Sequence, residues 1–261
     1  MDLGLKGKNA LITGGSQGLG LAIAKALAEE GCNVAIGARG RENLDLAAAE
    51  LSKTGVKVVP IAVDFMSEDG CGKFVDEATA ALGGCDILVN NVGGMVPGTL
   101  ESLTPADWQE SINRNLLSYV YTTKFAIPHL KKSKAGRILN ISGISGTMLL
   151  PGALSTTLPN AAIIGFSKLM ANDLAPFNIL VNNLCPGIVA VDSWGPRAER
   201  MAEARGTTAD QVRNSMAGMT MLNRWGRPEE MGWIAAFLVS EKNSYMTGTT
   251  VESCGGATKY L

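Results

Sequence analysis

Apolar residues follow two alternating rhythms along this chain: short continuous runs, and longer stretches in which they recur every third or fourth position. The first is the pattern of a strand buried on both faces, the second that of a helix laid on a sheet. Runs at 8–13, 33–38, 57–63, 86–90, 137–141, 179–185 and 249–252 predict seven strands. Between them, 18–31, 41–53, 67–82, 104–134, 154–176 and 228–239 read as helices. Ser67 caps the third, Pro105 opens the fourth, and Pro151-Gly152 breaks the chain before the fifth. Residues 186–227 read as irregular and carry Trp194, Met201, Met216, Met219, Met221 and Trp225. This alternation calls for α/β architecture, a doubly wound (Rossmann) seven-stranded parallel sheet with helices on both faces. No repeat, linker or low-complexity segment divides it, so 1–261 reads as a single domain.

One junction carries chemistry. The apolar run from Ala10 to Thr13 stops at glycines and passes directly into a helical pattern: strand, tight turn, helix N-terminus. The first N–H groups of such a helix lack intrahelical partners and sit at the positive end of its dipole, where a pyrophosphate can lie. Gly14 suits the turn, while Gly18 and Gly20 allow close approach of ligand and of helix to strand. Glycines alone fit an ordinary turn equally well. The other unusual residues, however, also collect at strand C-termini: Arg39, Asp64, Asn90, Ser142 and Pro186-Gly187. Ligands bind there in doubly wound sheets, so the convergence selects a dinucleotide.

Composition narrows the partners. Charged residues make up 18% of the 261, the formal net charge is −1, and no basic tract occurs, which argues against nucleic acid. No apolar run approaches the ~20 residues of a membrane span, and the N-terminus lacks a signal-peptide core. Five scattered cysteines without a C-x-x-C pair suggest neither disulfides nor zinc and fit a cytoplasmic protein. With one histidine, His129, a histidine triad or multi-histidine metal site is excluded, and no metal is expected.

At this point the chain resembles the short-chain dehydrogenase/reductase family over nearly its whole length. Thr13-Gly14-x-x-x-Gly18-x-Gly20 is similar to the family's cofactor turn, and Asn90-Asn91-Val92-Gly93 to its N-N-A-G strand end. Asp64 stands at the adenine-contacting position, Asn115 at the helix-four Asn, and Pro186-Gly187 at the nicotinamide-flanking pair. The resemblance implies strand order 3-2-1-4-5-6-7, a homo-dimer or homo-tetramer, and a mobile substrate lid over 186–227. It implies cofactor contacts from Gly14, Ser16, Gln17, Gly18, Leu19, Gly20, Arg39, Asp64, Asn90, Gly93, Asn160, Pro186 and Gly187. Strand two ends in Ala38, Arg39, Gly40 and Arg41, without the acid that holds an NAD ribose. Guanidinium groups bind phosphate, so NADP(H) is expected, with NAD the alternative.

The catalytic positions depart from the family. Its usual Ser on strand five corresponds to Gly143, its Tyr thirteen positions on to Thr156, and its Lys to Asn160. Reading Lys168 as the catalytic Lys breaks the downstream match, so Lys168 is expected to be a solvated helix residue. A threonine hydroxyl is too weak an acid to replace a tuned phenol. Asn115 alone keeps its catalytic-set identity, and buried backbone bonding is its plainer role. Ser142, Ser145, Ser155, Thr157 and Asp192 are nearby replacement candidates but read as structural, Tyr119 and Tyr121 as packing, and His129 as non-catalytic. The expected activity is an NADP(H)-dependent oxidoreductase on a small apolar carbonyl, alcohol or conjugated substrate with an atypical centre. The alternatives are a non-redox dehydratase, isomerase or lyase on this fold, and a non-catalytic NADP-binding protein.

Overall fold

Seven strands pair in parallel in the order β3-β2-β1-β4-β5-β6-β7, as the resemblance implied. They are β1 Asn9–Thr13, β2 Asn33–Ala38, β3 Val58–Ala62, β4 Ile87–Asn90, β5 Arg137–Ile141, β6 Leu180–Pro186 and β7 Thr250–Ser253. The computed structural model describes residues 1–148 and 153–258; the Pro151-Gly152 break lies outside the described residues. Successive strand side chains point to opposite faces and build two cores. On one side Ala10, Ile12, Val34, Ile36, Ile87 and Val89 meet helices α1 (Gly18–Glu29), α2 (Arg41–Leu51) and α9 (Pro228–Val239). On the other, Leu11, Ala35, Leu88, Ile138 and Val181 meet α3 (Glu68–Leu82), α5 (Ser118–Leu130) and α6 (Leu154–Leu174). Both faces are covered, which is why the strands read as unbroken apolar runs.

Two stretches differ from the sequence pattern. The long helix expected over 104–134 is three pieces: α4 (Pro105–Ile112), one π-helical turn at Asn113–Leu117, and α5. An apolar pattern does not reveal a π turn, which inserts one residue without changing the buried face. The region expected to be irregular, 186–227, contains α7 (Trp194–Arg205) and α8 (Ala209–Ala217). Ala198, Ala202 and Val212 form a small core of their own there, and Thr208 and Gln211 make a capping box at the start of α8. Arg224 closes the region by gripping Glu230 of α9 through Nη1 at 3.0 Å and Nη2 at 2.8 Å. This guanidinium and the Arg227 N–H hold the Glu230 carboxyl down to about 2, so the clamp stays ionised far below neutral pH. All five cysteines are free and buried. No helix among the described residues is long and apolar enough to cross a membrane.

Strand and helix approach each other closely at the first turn. Gly14 and Gly18 have φ of +65° and +56°, which favour glycine. Gly20 has no such need, but a Cβ there would stand 2.1 Å from the Gly14 carbonyl oxygen. Gly20→Ala is therefore expected to cost about 3 kcal/mol or more. Gly165→Ala, with nothing within 4 Å of the added carbon on the exposed side of α6, is expected to gain about 0.5–1 kcal/mol. Urea unfolding of the two variants beside the parent checks both signs.

Candidate active site

The order of strands reverses between β1 and β4, and a cleft opens there at their C-terminal ends. Its first lobe, about 400 Å³, is walled by Gly14, Ser16, Gln17, Gly18 and Leu19 of the turn and by Arg39, Asp64 and Gly93. Gln17, the N-cap of α1, makes no side-chain cap, and no acid occupies the helix's first turn. The positive helix end is thus left for an anion. Arg39 is exposed on the wall. Arg41 is not available in the same way, since its Nε donates to Asp45 at 3.0 Å within α2.

Two expected cofactor residues are placed away from the cleft. Gly20 packs under the turn and lines neither lobe. Asn90 is fully buried, its Nδ2 donating to Asn140 Oδ1 at 2.8 Å and Thr123 Oγ1 at 3.0 Å, so it ties β4 to β5 and α5. The next residue, Asn91, lines the cleft instead. Its Nδ2 donates to the carbonyls of Thr13 and Gly14, each at 3.1 Å. Thr13 Oγ1 in turn accepts from the Asn91 N–H at 2.9 Å. The doubled Asn in the sequence was the available signal, and strand alternation decides which of the two turns inward.

Leu19, Asn91, Val92 and Gly93 also line a second lobe of about 380 Å³, so the two are continuous. Here lie Asn115, Gly143, Thr156, Asn160, Pro186 and Gly187, from four separate segments of the chain. The Thr156 hydroxyl donates to the Ala153 carbonyl at 3.0 Å, within the first turn of α6. Asn160 Nδ2 donates to Ser145 Oγ at 2.8 Å. A Cβ on Gly143 would stand 3.1 Å from that same nitrogen, so the Asn160 amide rests against the bare backbone of Gly143. The two unusual residues therefore pack as a pair.

Asn115, in the π turn, accepts from the Gly94 N–H at 2.8 Å and donates to the Ser111 carbonyl at 2.9 Å. Ser111 Oγ reaches the Ser155 carbonyl, and Ser155 Oγ the Val96 carbonyl, each at 2.5 Å. This chain of bonds fixes the loop after β4 against the start of α6. Ser142 Oγ lies 2.8 Å from Cys185 Sγ and accepts from Asn183 at 3.0 Å. Lys168, exposed on α6, donates to the Gly248 carbonyl at 3.2 Å. His129 lies near the C-terminal end of α5 and lines a separate cavity with Asn9, Asp86 and Ser133.

The ionisable groups on the second lobe are Tyr119 and Arg197. Tyr119 donates its hydroxyl to the Ile141 carbonyl at 2.6 Å, and burial pushes its pKa well up. Arg197, on α7, was not singled out by the sequence; its charge in the Trp194-Gly-Pro-Arg197 stretch of a methionine-rich region was the signal. Trp194, Met216 and Met219 supply apolar wall beside it.

A family model described as short chain dehydrogenase matches residues 8–202. The chain is 33% identical over 257 residues to the 3-oxoacyl-(acyl-carrier-protein) reductase FabG of Aquifex aeolicus, covering 98% of this chain and 99% of that one. The Thermotoga maritima reductase of the same name is 32% identical over 97% and 98%. Among solved structures, L-sorbose reductase from Gluconobacter frateurii, complexed with NADPH and L-sorbose, superposes with a TM-score of 0.96 at 32% identity over the whole of both chains. A short chain dehydrogenase from Burkholderia cenocepacia in complex with NADP gives 0.87 at 30% identity over 97% and 99%. Likeness of this extent, in sequence and in fold together, means that the chain belongs to the short-chain dehydrogenase family.

Proposed function

We propose that this protein is an NADP(H)-dependent oxidoreductase for a small carbonyl, alcohol or conjugated substrate, working without a built-in phenol acid. Family membership makes it an NAD(P)-dependent oxidoreductase. The uncapped α1 terminus, the positive-φ glycines and Arg39 fit a phosphorylated dinucleotide, with Asp64 at the far wall of the same lobe. The two relatives solved with NADPH and NADP support the same choice. Bound NADPH would supply hydride in the second lobe.

The observation that carries the reading of the centre is that, among the described residues, the lobe is lined by no carboxyl, imidazole or ammonium group and its one phenol is already bonded. Thr156 is spent on a backbone carbonyl, Asn160 on Ser145, and Tyr119 on Ile141. Asn115 and Asn160 orient the lobe's backbone and can hold polar groups, but neither titrates near neutral pH. The proton then comes from water or from the substrate itself. Reduction of a polarised C=C bond depends least on a positioned acid, because the proton can arrive at a carbon away from the hydride. Exposed Leu158 and Leu169 on α6 and Trp233 on α9 support assembly with further copies of the chain.

Purified protein with NADPH and a panel of enones, ketones and aldehydes tests this by loss of nicotinamide absorbance, enones being expected to react fastest. Product formed without net NADPH consumption would favour a dehydratase, isomerase or lyase, and tight NADPH binding with no turnover a non-catalytic protein. Arg39→Ala is expected to weaken NADPH binding about tenfold or more while leaving NADH unchanged, as read by calorimetric titration. Tyr119→Phe should lower stability by about 1–2 kcal/mol and leave the rate within a few-fold; a rate lost altogether would make Tyr119 the acid. The triple change Gly143→Ser, Thr156→Tyr and Asn160→Lys should raise ketone reduction by about 10²-fold, measured as kcat/KM.

A further inference from the structure

Among the described residues the second lobe holds one permanent charge, Arg197, and no carboxylate pairs with it. The Arg197 guanidinium carbon lies 4.2 Å from the centre of the Trp194 ring. Its Nη2 points to Met95 Sδ at 3.3 Å, so it spans from α7 to the loop after β4. A thioether is a weak acceptor, and an aromatic face takes charge but not a directed hydrogen bond. Arg197 Nε is buried and has no partner among the described residues. No carboxylate there forms a salt bridge with it, and the charge felt at the group is another cation, Arg200.

Arginines that serve only to hold this region are treated differently. Arg213 pairs with Asp210 at 2.7 Å, and Arg224 grips Glu230 with two nitrogens. A half-buried guanidinium kept short of acceptors is costly unless a ligand completes it. Arg197 is also remote from the phosphate end of the dinucleotide lobe, since it lines the second lobe and not the first. Its fork matches a carboxylate in two parallel bonds, and a single guanidinium balances one negative charge better than a phosphate's two. The wall around it is apolar: Trp194, Ile188, Met216 and Met219.

We propose that Arg197 is the specificity-determining residue of the substrate lobe and takes a carboxylate carried by the substrate, which is therefore an oxo, hydroxy or unsaturated acid with an apolar body. This rests on the reading of the second lobe as the substrate site. The carboxylate is recognised, not transformed.

The test compares acids with their amides, hexanoate with hexanamide and phenylacetate with phenylacetamide, by calorimetric titration of the protein with and without NADPH. Each acid is expected to bind about tenfold or more tightly than its amide. Arg197→Met, which keeps bulk but not charge, should abolish the difference, Arg197→Lys should keep part of it, and both should bind NADPH like the parent. Equal affinity for acid and amide, no binding of either, or an acid preference that survives Arg197→Met overturns the proposal, as does loss of NADPH binding in Arg197→Met with its thermal midpoint intact. Failure of the parent to bind NADPH counts against the cofactor reading alone, because the acid–amide comparison is read equally on the cofactor-free protein. A misfolded Arg197→Met variant leaves the parent comparison and Arg197→Lys to decide.

Discussion

The rest of the site depends on the contact between the backbone of α1 and the carbonyl of Gly14. With 2.1 Å between that oxygen and a would-be Cβ at residue 20, no other residue lets the helix begin so close to the strand. Asn91 completes the junction by donating to the Thr13 and Gly14 carbonyls, while Thr13 Oγ1 accepts from the Asn91 backbone. These bonds fasten β1 to the end of β4 at the place where the sheet's order reverses. The helix terminus, the cleft floor and the entry to the second lobe are thereby set relative to one another. The anion site is a property of backbone geometry, and side chains such as Arg39 add selectivity to it.

The second lobe is framed by hydrogen bonds from side chains of the π turn, α4 and α6. The π turn presents Asn115 to Gly94 and Ser111, and the Ser111–Ser155–Val96 links hold α6 against the β4 loop. None of these bonds requires a phenol or an ammonium. Gly143 and Asn160 are mutually adapted: the amide lies where a larger residue at 143 would press. Removing one substitution without the other would therefore meet a steric objection before a chemical one.

The segment between β6 and α9 contributes the charge that the sheet does not. Residues of the strand ends leave the lobe with amides, hydroxyls already bonded, and one tyrosine held by Ile141. Arg197 enters from α7 over Trp194 into an otherwise apolar wall, where low local polarity strengthens any pairing it makes. The Arg224–Glu230 clamp anchors the far end of this segment on α9, while Trp194 and Arg197 of α7 line the cleft.

Strand and helix alternation and the nucleotide turn were legible in the chain because periodicity and glycine spacing are local consequences of backbone geometry, while the strand order came only with the family resemblance. Gly143, Thr156 and Asn160 were legible as residues, but their match to the family's catalytic positions rests on the resemblance. The π turn was not, because one added residue leaves an apolar pattern almost unchanged. Nor were α7 and α8, whose small core of Ala198, Ala202 and Val212 is too sparse to announce helices. Which of Asn90 and Asn91 faces the cleft, and that Arg197 stands there unpaired, were decided only in three dimensions. Pairing and burial depend on what distant segments bring alongside, here α7, the β4 loop and β5, and no local pattern contains that information.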